Sequence, residues 1–137
     1  MDNIWRFIEH QLVQSQNIVL GLVTGVEGSS PGKPGFKMAI ARDGTRWGSI
    51  GGGIMEYKLE KMALEWLEAG NSTPGVVHLV HNKDAGEAAS GLICAGSQTH
   101  VFVPLNAAHL PEIKQIIRAQ EEEKDILLQI SAFGLFV

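Results

Sequence analysis

The 137 residues predict an α/β fold, a single domain in which a mixed β-sheet of about five or six strands packs with about three helices. Three observations carry that prediction. Short runs rich in branched residues, such as Ile18–Thr24 and Thr99–Pro104, have the length and composition of buried strands. Longer stretches repeat their apolar residues at helical spacing. Glycine- and proline-rich segments separate the two kinds of run at short intervals, and a chain of this length can bury a core without disulfides or metals.

Ile4, Phe7, Ile8 and Leu12 predict an amphipathic helix over about residues 3–16, with Asp2 or Asn3 as its cap. Asn17 breaks the pattern, and Ile18–Thr24 follows as a strand. Gly25–Gly35 then holds four glycines, two prolines, two serines and one lysine, which reads as an ordered turn segment. Ser29 and Ser30 offer hydroxyl donors there and Lys33 is the nearby cation. These groups suit an oxyanion, although the same composition also makes an ordinary connector. Phe36–Ala41 and Thr45–Ile50 read as two strands joined through the Asp43-Gly44 turn.

The second of these strands ends at Gly48, Ser49 and Ile50 and runs into Gly51, Gly52 and Gly53, from which a helix departs. Glycines admit backbone angles that a Cβ forbids, and a helix start presents unpaired N–H groups at the positive end of its dipole. A phosphate or similar oxyanion fits such a place, as does a tight turn with no ligand. The spacing is neither G-x-G-x-x-G nor a P-loop. Glu56, in the first helical turn, either complements the dipole or stands at the mouth of an anion site as a base or hydrogen-bond acceptor. Met55, Leu59, Met62 and Trp66, widened by Ala63 and Leu67, form the core stripe of this helix, while Lys58, Lys61, Glu65 and Glu68 face water. Gly70-Asn71 closes it.

Val76–His81 is a further strand. His78 and His81 would face opposite sides of it, and the five histidines have no zinc-ligand spacing, so they read as structural or surface residues. A second loop, Asn82–Ser97, contains Gly91, Cys94 and Gly96. A lone cysteine is most often a buried hydrophobe, but one set between glycines at a strand entrance has the access needed for thiolate chemistry or ligation of a soft metal. Leu110, Ile113, Ile116 and Ile117 mark a last helix with Pro111 in its first turn. The apolar run Ile126–Val137 predicts a final strand that completes the sheet or pairs with a second copy, which leaves a homo-oligomer open.

The net charge of −4 lacks the basic footprint of a general nucleic-acid binder. No run has the length of a membrane span, and the charged N-terminus is unlike a signal peptide. A single cysteine suits a reducing compartment, so a cytoplasmic location is expected.

Gly28-Ser-Ser-Pro-Gly-Lys-Pro-Gly, Gly48-Ser-Ile-Gly-Gly-Gly-Ile-Met-Glu and Gly91-Leu-Ile-Cys-Ala-Gly, in this order, resemble the N-terminal domain of the XdhC/CoxI family, accessory proteins for the maturation of molybdenum hydroxylases such as xanthine dehydrogenase. The resemblance implies binding of the molybdenum cofactor (molybdopterin) and its delivery to a hydroxylase apo-enzyme, without a turnover reaction. It carries over a cofactor-binding role to Ser29, Ser30 and Lys33 of the first loop. It does the same for Gly48, Ser49, Gly51, Gly52, Gly53 and Glu56 of the glycine run, and for Gly91, Cys94 and Gly96 of the cysteine turn, with Cys94 as a metal or sulfur ligand. Gly32 stands where the family often has Arg, Ile54 where it often has Cys, and Ala95 where a second glycine is usual. Residues 1–137 would form the one N-terminal-type domain, without the Rossmann-like C-terminal domain common in the family. A cysteine desulfurase, or a separate chain supplying that domain, would be a further partner. Two rival expectations remain: a thiol-dependent or nucleotide-using enzyme with Cys94 as nucleophile and Glu56 as base, and a structural or regulatory partner with a decayed site.

Overall fold

A computed structural model of the chain describes residues 3–28, 30, 32–80 and 96–137. The predicted first helix is α1 (Ile4–Val13), and Asn3 caps it by accepting a 3.0 Å hydrogen bond from the Arg6 N–H. Five strands follow in one sheet: β1 (Ile18–Gly28), β2 (Lys37–Ala41), β3 (Arg46–Ser49), β4 (Gly75–Val80) and β5 (Gly96–Leu105). Helix α2 (Ile54–Glu68) lies between β3 and β4, and α3 (Leu110–Glu121) follows β5 after a short 3₁₀ turn. The spatial order is β3-β2-β1-β5-β4, and each of the four pairings is antiparallel.

The sheet is covered on both sides, which explains why its central strands are apolar without alternation. Ile18 and Leu20 of β1, Ala39 of β2, and Val103 and Leu105 of β5 pack with Ile8 and Leu12 of α1 and with Ile113, Ile116 and Ile117 of α3. Their neighbours one residue along, Val19 and Val23, Met38 and Ile40, and Phe102, pack instead against Met55, Leu59, Ala63 and Leu67 of α2. These four α2 residues are spaced by four and form the buried row, while Met62 and Trp66 flank it half-buried. Arg6 pairs with Glu121 and Asn3 donates to Gln120 at 3.3 Å, so polar contacts also join α1 to α3.

Three boundaries depart from the sequence expectation. β1 does not stop at Thr24. It bulges between Val23 and Gly25 and then pairs with β5 as far as Gly28 opposite Gly96, because the facing strand offers a continuous ladder. For the same reason β5 begins at Gly96 rather than Thr99. The C-terminal run forms neither a sheet strand nor one long strand. Gly134, at φ 141°, turns it into a separate hairpin of β6 (Gln129–Ser131) and β7 (Gly134–Phe136), whose Leu135 plugs into the α1/α3 core.

Candidate functional site

The described motif residues lie at the end of the sheet where β1 finishes and β5 begins. The loop after β1 folds back immediately. Gly35 donates to the Val23 carbonyl and Val23 donates to the Phe36 carbonyl, each at 2.9 Å, and Phe36 donates to the Lys33 carbonyl at 3.0 Å. Ser30 is half-buried and Lys33 is exposed. Gly32 is buried, and a Cβ added there would overlap both the carbonyl oxygen of Ile50 and the side-chain amide of Gln98. That close approach explains why glycine occupies the position. It also brings the first loop against both the glycine run and the start of β5.

The glycine run turns from β3 into α2. Gly48 pairs with Met38 within the sheet. Gly51, Gly52 and Gly53 take φ values of 130°, 94° and 71°, all in the region that side chains strain to reach. Gly53 is the N-cap of α2 and supplies no side-chain cap. Glu56 reaches back from the first turn and accepts from the Ser49 hydroxyl and, at 3.2 Å, from the Ile50 N–H; the Gly51 N–H in turn donates to Ser49 Oγ at 3.2 Å. Glu56 is thus the hydrogen-bond acceptor that closes the turn, beyond any interaction with the dipole. Among the described residues, the Gly52 and Gly53 N–H groups have no protein acceptor, and they lie at the positive end of α2.

Gly96, the last member of the cysteine turn, is the first residue of β5. Ser29, Gly91 and Cys94 lie outside the described residues, as does His81. The described residues contain no group of three or more His, Cys, Asp or Glu placed to hold a metal ion. His78 is exposed, and its Nδ1 lies 3.0 Å from Thr99 Oγ1, in keeping with a surface role.

Two site residues escaped the sequence reading. Gln98 and His100 are fully buried within β5. Gln98 Nε2 donates to Ser30 Oγ at 2.5 Å, and Gln98 Oε1 lies 2.8 Å from His100 Nε2. With Phe102 they occupy alternate positions on the α2 side of the strand. Two polar residues at period two, continuing an apolar face, were the available clue. An apolar cavity of about 330 Å³ lies elsewhere, between Leu22, Val101, Val76 and the C-terminal hairpin, and none of the described motif residues line it.

No helix among the described residues is long and apolar enough to cross a membrane. Comparison with known proteins adds three findings. No curated protein matches the sequence. Five solved chains match, among them the crystal structure of a xanthine dehydrogenase from Bacillus halodurans, with 24% identity and a TM-score of 0.64. The match covers 83% of this chain and 34% of that one, so this chain spans about a third of its neighbour, and the likeness is one of fold. A family model describing XdhC and CoxI matches residues 12–80, from the end of α1 to the end of β4 and half of the chain. The chain therefore belongs to the XdhC and CoxI family, which is linked to the maturation of molybdenum hydroxylases.

Proposed function

We propose that the chain binds the molybdenum cofactor and delivers it to the apo-enzyme of a molybdenum hydroxylase such as xanthine dehydrogenase, with no turnover reaction of its own. The observation that supports this reading is the packing of the first loop, at Gly32, against Ile50 of the glycine run and Gln98 at the start of β5. A carrier must hold an anionic, oxygen-rich cargo without transforming it. Backbone N–H groups at a helix start bind oxyanions without a reactive side chain.

The donors present fit the anionic part of that cargo. The Gly52 and Gly53 N–H groups and the start of α2 would take phosphate or molybdate oxygens, Ser30 would add a hydroxyl, and Lys33 would offset charge from the exposed rim. Ser49 and the Ile50 N–H are engaged by Glu56, so they would reach an anion only by exchange with that carboxylate. Glu56 itself suits the N–H groups of the pterin, being an acceptor already aligned at the turn. Bound cofactor would bring molybdenum–sulfur chemistry, for which the Cys94 thiolate is the soft ligand in the motif. Residues 1–137 would act as the family's N-terminal domain in the cytoplasm, with a cysteine desulfurase or a chain carrying the Rossmann-like domain as further partners.

Pterin and molybdenum content of the protein isolated from cofactor-producing cells, beside Cys94→Ala, tests the proposal. Near-stoichiometric pterin with molybdenum, transferable to apo-xanthine dehydrogenase and loosened in the variant, is expected. A folded protein that takes up neither pterin nor metal when free cofactor is supplied overturns it.

A further inference from the structure

We infer that Glu56 reads the ring of the cargo, selecting a 2-amino-4-oxo pyrimidine edge through its second oxygen, Oε2; the inference rests on the cofactor-binding reading above. The two oxygens of this carboxylate are used unequally. Oε1 accepts from the Ser49 hydroxyl and, at 3.2 Å, from the Ile50 N–H, and Ser49 Oγ is itself held by a 3.2 Å bond from the Gly51 N–H. Among the described residues, Oε2 has no hydrogen-bond or ion-pair partner. Two donors on one oxygen fix the position of the carboxylate and leave the lone pairs of the other unused. The contact between Ser49 and Glu56 lies at the surface, where a ligand can reach it.

An ionised carboxylate only accepts hydrogen bonds. A phosphate or molybdate oxygen arriving at Oε2 meets like charge, so this oxygen serves the part of the cargo that carries N–H donors. The pyrimidine edge of a pterin presents such donors side by side, the exocyclic 2-amino group and the neighbouring ring N–H. Hydrogen bonds to a charged acceptor are the stronger kind, and an acceptor already held in place binds without the entropic cost of ordering it. The first turn of α2 also leaves Ile54 and Tyr57 exposed, at 58% and 69%, which supplies apolar surface on the same turn for a flat ring.

The test is fluorescence titration of the purified protein with pterin (2-amino-4-oxopteridine) and, separately, with lumazine, in which a 2-oxo group replaces the amino group. Lumazine sets a carbonyl against Oε2, so the wild-type protein should bind pterin about tenfold or more tightly than lumazine. Glu56→Gln retains an acceptor for Ser49 and the Ile50 N–H but turns an amide NH₂ towards the ligand, so the preference should reverse. A merely structural glutamate would weaken both ligands alike when replaced. Equal affinity of the wild-type protein for the two rings, or binding of neither at millimolar concentration, overturns the inference. So does an unchanged preference, or an equal loss for both, in folded Glu56→Gln. Should that variant fail to fold, the wild-type comparison decides alone. Pterin and molybdenum content of the protein from cofactor-producing cells decides the cofactor reading separately: cofactor held without discrimination between the rings leaves that reading standing and sinks only the inference.

Discussion

The two ends of the β1/β5 pair are made from the same strands and differ in almost every other respect. At one end Ile18–Leu22 faces Val101–Leu105 in unbroken register, and both sides of the sheet are apolar. At the other end, beyond the bulge at Thr24, Val26–Gly28 faces Gly96–Gln98, and the buried side chains turn polar. The first end is held by burial, which is non-directional and strong. The second is held by a few directional contacts: Gln98 to Ser30, Glu56 to Ser49 and Ile50, and the bare approach of Gly32. The proposed carrier function would use that division, because packing supplies the stability that hydrogen-bonded turns alone do not.

Substitutions should expose the contrast in order of size. Phe102→Ala strikes the apolar end, where the ring is 1% exposed and meets Trp66 edge-on with centroids 5.8 Å apart. A loss of about 3–5 kcal/mol in denaturant unfolding is expected. Gly32→Ala forces a Cβ into the Ile50 carbonyl and the Gln98 amide, and about 1–3 kcal/mol should be lost, with spectroscopic change confined to the site end. Wild-type stability in that variant would show that the loop does not rest on the glycine run. Ser49→Ala removes two hydrogen bonds, to Glu56 and from the Gly51 N–H, but because Ser49 is exposed it should cost only about 1 kcal/mol by the same assay.

The smallest effect lies at the exposed β2–β3 turn. The Thr45 N–H and hydroxyl hold the Asp43 carboxyl below its ordinary value of 3.8. As pH falls, the unfolded chain takes up this proton first. The contribution to stability is therefore full above 3.8 and disappears as pH drops through the lower, folded value. Asp43→Asn should flatten that part of the acid-unfolding curve slightly; an unchanged curve would mean that the turn bond adds nothing.

The apolar end was legible in the sequence because periodicity reports burial directly. Ile18–Leu22, the α2 row and the α3 stripe each announced their element, and the Asp43-Gly44 turn announced the hairpin. The glycine run, Glu56 and the first loop were legible as motifs, although what Glu56 bonds to depended on a fold-back that spacing alone does not determine. Gln98 and His100 were missed for a physical reason. Their importance arises from a contact with Ser30, which is 68 residues away from Gln98 in sequence, and no local pattern encodes that distance. The C-terminal hairpin was missed because an apolar run reads alike whether it is one strand or two, and only the Gly134 backbone divides it.

Hydrogen–deuterium exchange of the protein with and without molybdenum cofactor tests the central claim most directly. The account predicts added protection at residues 32–36, 50–56 and 96–98, with residues 18–22 and 101–105 equally protected in both states. Protection confined to Leu22, Val76 and the C-terminal hairpin around the apolar cavity, or no change anywhere with cofactor in excess, would contradict it.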